Sequence, residues 1–116
     1  MDHYDNAEHV AASLSPYQPI VCLRPHAATR AAAWFCSQFS GTVMFAVKAN
    51  PDPTILEALS AGGIRHFDVA SLKEVRDVRA QFPNADLAYM HPIKAREAIA
   101  EAVSYTHLTL PTILLV

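Results

Sequence analysis

Apolar positions along the chain follow two alternating rhythms, short runs rich in β-branched and aromatic residues and longer stretches where apolar side chains recur every three or four positions. Residues 1–18 show neither rhythm and read as a mobile lead-in with at most one weak helical turn. Ile20-Val21-Cys22-Leu23 is a short apolar run stopped by Arg24-Pro25, which predicts a strand. His26 to Phe39 is alanine-rich, with Trp34, Phe35 and Phe39 at helical spacing, and predicts a helix that Ser40-Gly41 ends. Thr42 to Val47 is too short for a helix and predicts a buried strand, closed by Lys48-Ala49-Asn50-Pro51. Asp52-Pro53 then supplies an N-cap followed by proline at the first helical position, and Ile55, Leu56 and Leu59 form a face that Gly62-Gly63 terminates. A strand from Ile64 to Val69 follows. Ser71 and Glu74 have capping-box spacing ahead of the stripe Leu72, Val75, Val78. After Phe82-Pro83-Asn84, Leu87 to Met90 predicts a third strand of this series, and Pro92 opens a helix through Ala102. The repeat from Thr42 is about 25 residues per βα unit, the pitch of a (β/α)8 barrel or of a doubly wound parallel sheet.

Composition narrows the partners. The 116 residues are 52% hydrophobic and 17% charged, enough for one small core and too short for two ordinary domains. Nine Lys and Arg stand against eleven Asp and Glu, a net charge of -2 that leaves no broad cationic surface for nucleic acid or anionic lipid. No apolar run approaches the roughly 20 residues of a spanning helix, and the start is polar and acidic where a signal peptide would be basic and then apolar. The expected location is cytoplasmic. Cys22 and Cys36 lack any metal-ligand spacing and read as reduced, mostly buried thiols. The histidines His3, His9, His26 and His66 show no HxxxH or HExxH spacing, so no metal site is expected.

The residues Val103 to Thr112 have a different character. They read as the translation of a sequencing adapter, the mosaic end GTCTCTTATACACATCT running into GACGCTGCCGACG, with Val116 and a stop as its continuation. On that reading residues 103–116 are a scar outside the fold, Tyr105 and His107 carry no functional information, and the gene was cut by a read end. The domain division expected is a lead-in over 1–18, a partial barrel over 19–102 and the scar.

Candidate chemistry centres on Phe45-Ala46-Val47-Lys48-Ala49-Asn50. Strand alternation puts Met44, Ala46 and Lys48 on one face and Val43, Phe45 and Val47 on the other. If the Phe45 face packs under helices, the small Ala46 leaves room on the opposite face and Lys48 arrives at the C-terminal end of the strand, where barrel active sites sit. A partly desolvated amine there sheds its proton more readily, and the neutral amine attacks a carbonyl to form a Schiff base. Equally, a lysine at a strand end can snorkel to solvent. Lys73 and Lys94 fall in predicted helices and read as surface residues. Asp68 ends the next strand, sharing a face with His66, and reads either as a carboxylate beside Lys48 or as a cap of the following turn.

Three motifs in order, Phe45-Ala46-Val47-Lys48-Ala49-Asn50-Pro51, Phe67-Asp68-Val69-Ala70-Ser71 with Glu74, and Tyr89-Met90-His91-Pro92-Ile93-Lys94, resemble the N-terminal barrel region of the fold-type III pyridoxal-phosphate decarboxylases. That family handles ornithine, lysine, diaminopimelate, arginine and carboxynorspermidine, and the similarity spans residues 17–102. The resemblance implies an α/β fold, the N-terminal part of an alanine-racemase-like, PLP-binding (β/α)8 (TIM) barrel truncated after about three βα units. It implies that Lys48 carries pyridoxal 5'-phosphate as a Schiff base, with Ala46 and Asp68 lining the cofactor pocket, and that the parent enzyme is a homodimer acting on a small-molecule substrate, a basic amino acid. Many members have Asn-Pro where this chain has His91-Pro92, and the His variant is similar to the bacterial ornithine/lysine decarboxylase branch. His91 itself reads either as a residue at the mouth of the site or as a capping residue. The phosphate, pyridine-nitrogen and substrate sites are expected beyond the break, so the chain alone is expected to be inactive, marginally stable and prone to aggregate. A non-catalytic small α/β binding module is the alternative class.

Overall fold

The computed structural model describes residues 2–105 and 108–110. The lead-in is more ordered than its sequence rhythm predicts. It contains an eight-residue helix, α1 (Ala7–Leu14), because Asn6 caps it, its side-chain oxygen accepting the His9 N–H at 2.8 Å. The strand predicted at Ile20–Leu23 does not form. The segment is extended between Pro19 and Pro25, but among the described residues no neighbouring strand accepts its backbone groups, Ile20 and Val21 stay exposed, and Leu23 packs on the core. Cys22 and Cys36, expected to be buried, are both exposed free thiols.

From Pro25 onward the chain is a succession of βα units. α2 (Pro25–Gln38) is followed by β1 (Met44–Ala46), α3 (Pro53–Ala61), β2 (His66–Val69), α4 (Leu72–Gln81), β3 (Asp86–Tyr89), α5 (Arg96–Ala102) and β4 (Leu108–Thr109). The local signals explain most boundaries. Asp52 caps α3 by accepting the Thr54 N–H at 2.8 Å, and Ser71 caps α4 by accepting the Glu74 N–H at 3.2 Å. The reciprocal arm of that capping box reaches one residue further back than usual, Glu74 accepting the Ala70 N–H at 2.8 Å. α5 starts four residues later than Pro92 predicts, since the His91 ring folds onto its own turn, Nδ1 donating to the Ile93 carbonyl at 2.7 Å.

The four strands are parallel and lie in the order β1-β2-β3-β4. A doubly wound sheet would reverse direction at a switch point and carry helices on both faces. Here the order never reverses, and the buried helix residues Leu56, Leu59, Val75, Val78, Ala98 and Ala102 join Phe67, Val69, Leu87 and Tyr89 in one core on one face. That is the winding of a (β/α)8 barrel. Phe67 is the largest wholly buried side chain and stacks on Phe82, ring centroids 5.4 Å apart and planes nearly parallel. α2 closes on α3 at very short range, with the Thr29 hydroxyl donating to the Ala58 carbonyl at 2.9 Å. Gly62 permits this contact: a Cβ there would sit 2.5 Å from the Thr29 carbonyl oxygen.

β4 lies in the segment read above as an adapter scar. Leu108 pairs with Leu87, and Tyr105, Leu108 and Leu110 pack against the core. His107 and residues 111–116 lie outside the described residues.

Candidate active site

Parallel winding puts the C-terminal ends of all strands on one edge, so the residues that follow β1, β2 and β3 converge there by construction. Register then decides which side chains share the face opposite the helices. Ala46 aligns with Asp68, Asp68 with Ala88, and Ala88 with Thr109. One row below, Met44 aligns with His66 and His66 with Asp86, and His66 Nδ1 lies 3.4 Å from the Asp86 carboxylate. The upper row is therefore small apart from the partly buried Asp68. Ala46 and Ala88 contribute only methyl groups to this face, while the helix-side face of the same strands is filled by Phe67 and Leu87.

Lys48 does not continue the strand alternation that predicts its direction. β1 stops at Ala46 and the chain tightens into a 3-10 turn over Val47–Ala49, closed by the Asn50 N–H donating to the Val47 carbonyl at 3.1 Å. Two causes act together. Val47 is buried in the core and anchors the turn from below. Pro51 drives Asn50 into extended backbone, and the Asn50 side chain then accepts the Asp52 N–H at 3.1 Å, locking the exit toward α3. Lys48 is thus carried on a rigid turn at the C-terminal edge, exposed, directly after the strand that bears Ala46.

Asp68 lies on the adjacent strand, in register with Ala46, but does not pair with Lys48. Among the described residues no hydrogen bond or ion pair occupies either the Lys48 amine or the Asp68 carboxylate. His91 is on the same edge after β3, exposed, with one ring nitrogen committed to its turn. Lys94 sits with its ammonium 5.4 Å from the Tyr89 ring centre, a packed and partnered position unlike that of Lys48. The residue that site reasoning from sequence passes over is Glu74. Its capping-box spacing already places it at the start of α4, hence at the end of β2, where its carboxylate fixes the Ala70-Ser71 turn beside Asp68.

A parallel sheet wound in one direction, with helices on one face and an unpartnered lysine on a rigid turn at its C-terminal edge, defines a barrel segment of the class that builds its chemistry on that edge. The chain belongs to the fold-type III pyridoxal-dependent decarboxylases, and its cofactor is pyridoxal phosphate: residues 26–109 match the family described as pyridoxal-dependent decarboxylase, pyridoxal binding domain. Comparison with curated proteins and with solved structures found no match. The arrangement suits an aldehyde cofactor, because the amine is accessible and uncommitted and the row beside it is small. None of the helices among the described residues is long and apolar enough to cross a membrane, and no cluster of His, Cys, Asp or Glu among them could hold a metal ion.

Proposed function

We propose that this chain is the lysine-bearing segment of a decarboxylase of a basic amino acid, ornithine in the first place, yielding putrescine for polyamine synthesis in the cytoplasm. The observation that carries the reading is Lys48, unpartnered on its turn at the C-terminal edge, inside the matched region. Bound at Lys48, pyridoxal phosphate supplies an electron sink for the pair released when an α-carboxylate leaves as CO2. The chain's own contributions are more local. Lys48 Nζ offers the amine that holds the cofactor aldehyde and must be neutral when it attacks. Ala46 sets only a methyl group beside a planar ring, and the Asp68 carboxylate stands where it can balance a cationic nitrogen on the same face. The His91-Pro92 pair supports ornithine over diaminopimelate or carboxynorspermidine. In the parent enzyme, a homodimer, the phosphate and substrate contacts come from elements outside these βα units, so the 116-residue chain is inactive by itself.

Borohydride reduction in the presence of pyridoxal phosphate, followed by peptide mapping, tests the assignment. Label concentrated on Lys48 over Lys73 and Lys94, and lost in Lys48→Arg, is expected. Equal labelling of the three lysines would overturn the reading and leave a non-catalytic α/β module in its place. A long DNA read through the Ala102 codon tests the parent: a frame that continues into further βα units supports it, and assay of that product on ornithine, lysine and diaminopimelate decides the substrate.

A further inference from the structure

Cys36, in the last turn of α2, is an exposed free thiol at the edge of the sheet opposite Lys48. The loops that lead into β1 and β2 meet it there, and a cavity of about 280 Å³ opens between Cys36, Gly41, Thr42, Gly63, Arg65 and His66. The sulfur lies toward this cavity, since a Cβ on Gly63, another of its walls, would end 3.5 Å from Cys36 Sγ. Among the described lining residues Arg65 alone carries a permanent charge. Its guanidinium is fastened through one nitrogen, Nη1 donating to the Ser60 carbonyl at 2.6 Å, the Ile64 carbonyl at 2.9 Å and the Ser60 hydroxyl at 3.2 Å. These bonds hold it at the C-terminal end of α3, where the helix dipole also favours a cation, and its other nitrogens keep their N–H groups uncommitted among the described residues. His66 places Nδ1 3.4 Å from Asp86, which is not a wall of the cavity, and its Nε2 has no partner among the described residues. A nucleophilic sulfur beside uncommitted N–H donors suits an occupant that joins a sulfur electrophile to carboxylates.

We propose that Cys36 is a modification site, where the thiol exchanges with a small disulfide bearing carboxylates, of the glutathione type, and keeps half of it as a mixed disulfide. The deprotonated Cys36 sulfur attacks one sulfur of the disulfide, and the new S–S bond forms as the old one breaks. The electron pair of the broken bond leaves with the departing thiolate, which takes up a proton to replace the one Cys36 gave to solvent. Cys36 is oxidised and the departing half reduced, so the disulfide is the only oxidant required. At about 280 Å³ the cavity is at the small end of ligand pockets, roughly 300–1,000 Å³, and suits half of such a molecule. Lys48 lies at the other end of the strands, so neither chemistry depends on the other.

The full chain, reduced and then mixed with either of two disulfides, tests the site. Oxidised glutathione carries more carboxylates than amines, whereas cystamine carries amines alone. Peptide mass mapping of quenched samples gives the rate at each cysteine. The glutathione-to-cystamine rate ratio at Cys36 is expected to be about threefold or more above its value in the urea-unfolded chain, and to fall as salt is added. Arg65→Gln should return it to the unfolded value, and Arg65→Lys should retain most of it. Because Arg65 also fastens the end of α3, Thr42→Glu is the second variant, exposed on the cavity wall and outside those hydrogen bonds. It should lower the ratio with an unchanged far-ultraviolet circular dichroism spectrum. Cys22, an exposed thiol outside the cavity, is the internal standard, and its ratio should not move in any variant. A folded-chain ratio at Cys36 equal to the unfolded one, or one that Thr42→Glu leaves unchanged, would overturn the proposal.

Discussion

Gly62→Ala tests the closest contact in the fold. The new methyl would lie 2.5 Å from the Thr29 carbonyl oxygen and 2.6 Å from the Ala32 Cβ, and backbone on both sides cannot swing aside as a flexible side chain would. Reaching an ordinary 3.4 Å contact means moving α2 off α3 by about 0.9 Å. That shift carries the Thr29 hydroxyl beyond reach of the Ala58 carbonyl, now 2.9 Å away, a loss of about 1 kcal/mol. Overpacking itself costs about 1–3 kcal/mol. Against this, Gly62 has φ -80°, which alanine adopts freely, so the restricted unfolded chain returns about 0.4–1 kcal/mol. The net expectation is destabilisation by about 1–3 kcal/mol, read from urea unfolding followed by circular dichroism, with an unchanged m-value confirming that the two proteins unfold alike. Gly63 is the control. Its Cβ would make an ordinary contact, 3.5 Å from Cys36 Sγ, but its φ of 108° is a conformation side chains resist. Gly63→Ala should cost about 1–2 kcal/mol for that different reason, and Gly63→Asn less. A Gly62→Ala chain as stable as the parent would refute the helix contact as the cause.

Three further outcomes are expected. Phe67→Ala empties the centre of the core and unstacks Phe82, costing about 3–5 kcal/mol in the same assay, against the negligible effect expected at exposed Arg96. Ser71→Ala removes the cap of α4 and costs about 0.5–2 kcal/mol, and retention of borohydride labelling at Lys48 would separate this structural role from the chemistry. The hydrogen bonds from Arg76 hold the Glu101 carboxyl below its ordinary value, so their contribution is fully present above about pH 4.3 and is lost as pH falls through the lower folded value. The stability gap between the parent and Glu101→Gln should therefore narrow below that pH; a gap independent of pH from 6 down to 2 would contradict the linkage.

Much of the fold is legible because it depends on nearest neighbours in the chain. Asp52-Pro53, Ser71 with Glu74 and the Gly62-Gly63 stop each act within four residues, and each ends or starts a helix within a residue or two of where its spacing puts it. The expectations that failed concern partners. Ile20–Leu23 has the composition of a strand, yet a strand exists only where another edge completes its hydrogen bonds. Pro92 has the form of a helix start, but the His91 ring captures the Ile93 carbonyl and defers the helix to Arg96. The cysteines are apolar enough to be buried, and neither faces the core.

The sequence by itself determined the alternation of strand and helix and the family, since both are carried by residue types at short spacing. Tertiary structure decided the rest: that the sheet winds one way in the order β1 to β4, that Ala46, Asp68 and Ala88 form one row, and that Lys48 rides a 3-10 turn rather than a strand. The physical reason lies in range. Capping and periodicity are settled within a turn of chain, whereas register and the anchoring of Val47 are settled by burial against residues twenty or more positions away, which no local pattern encodes.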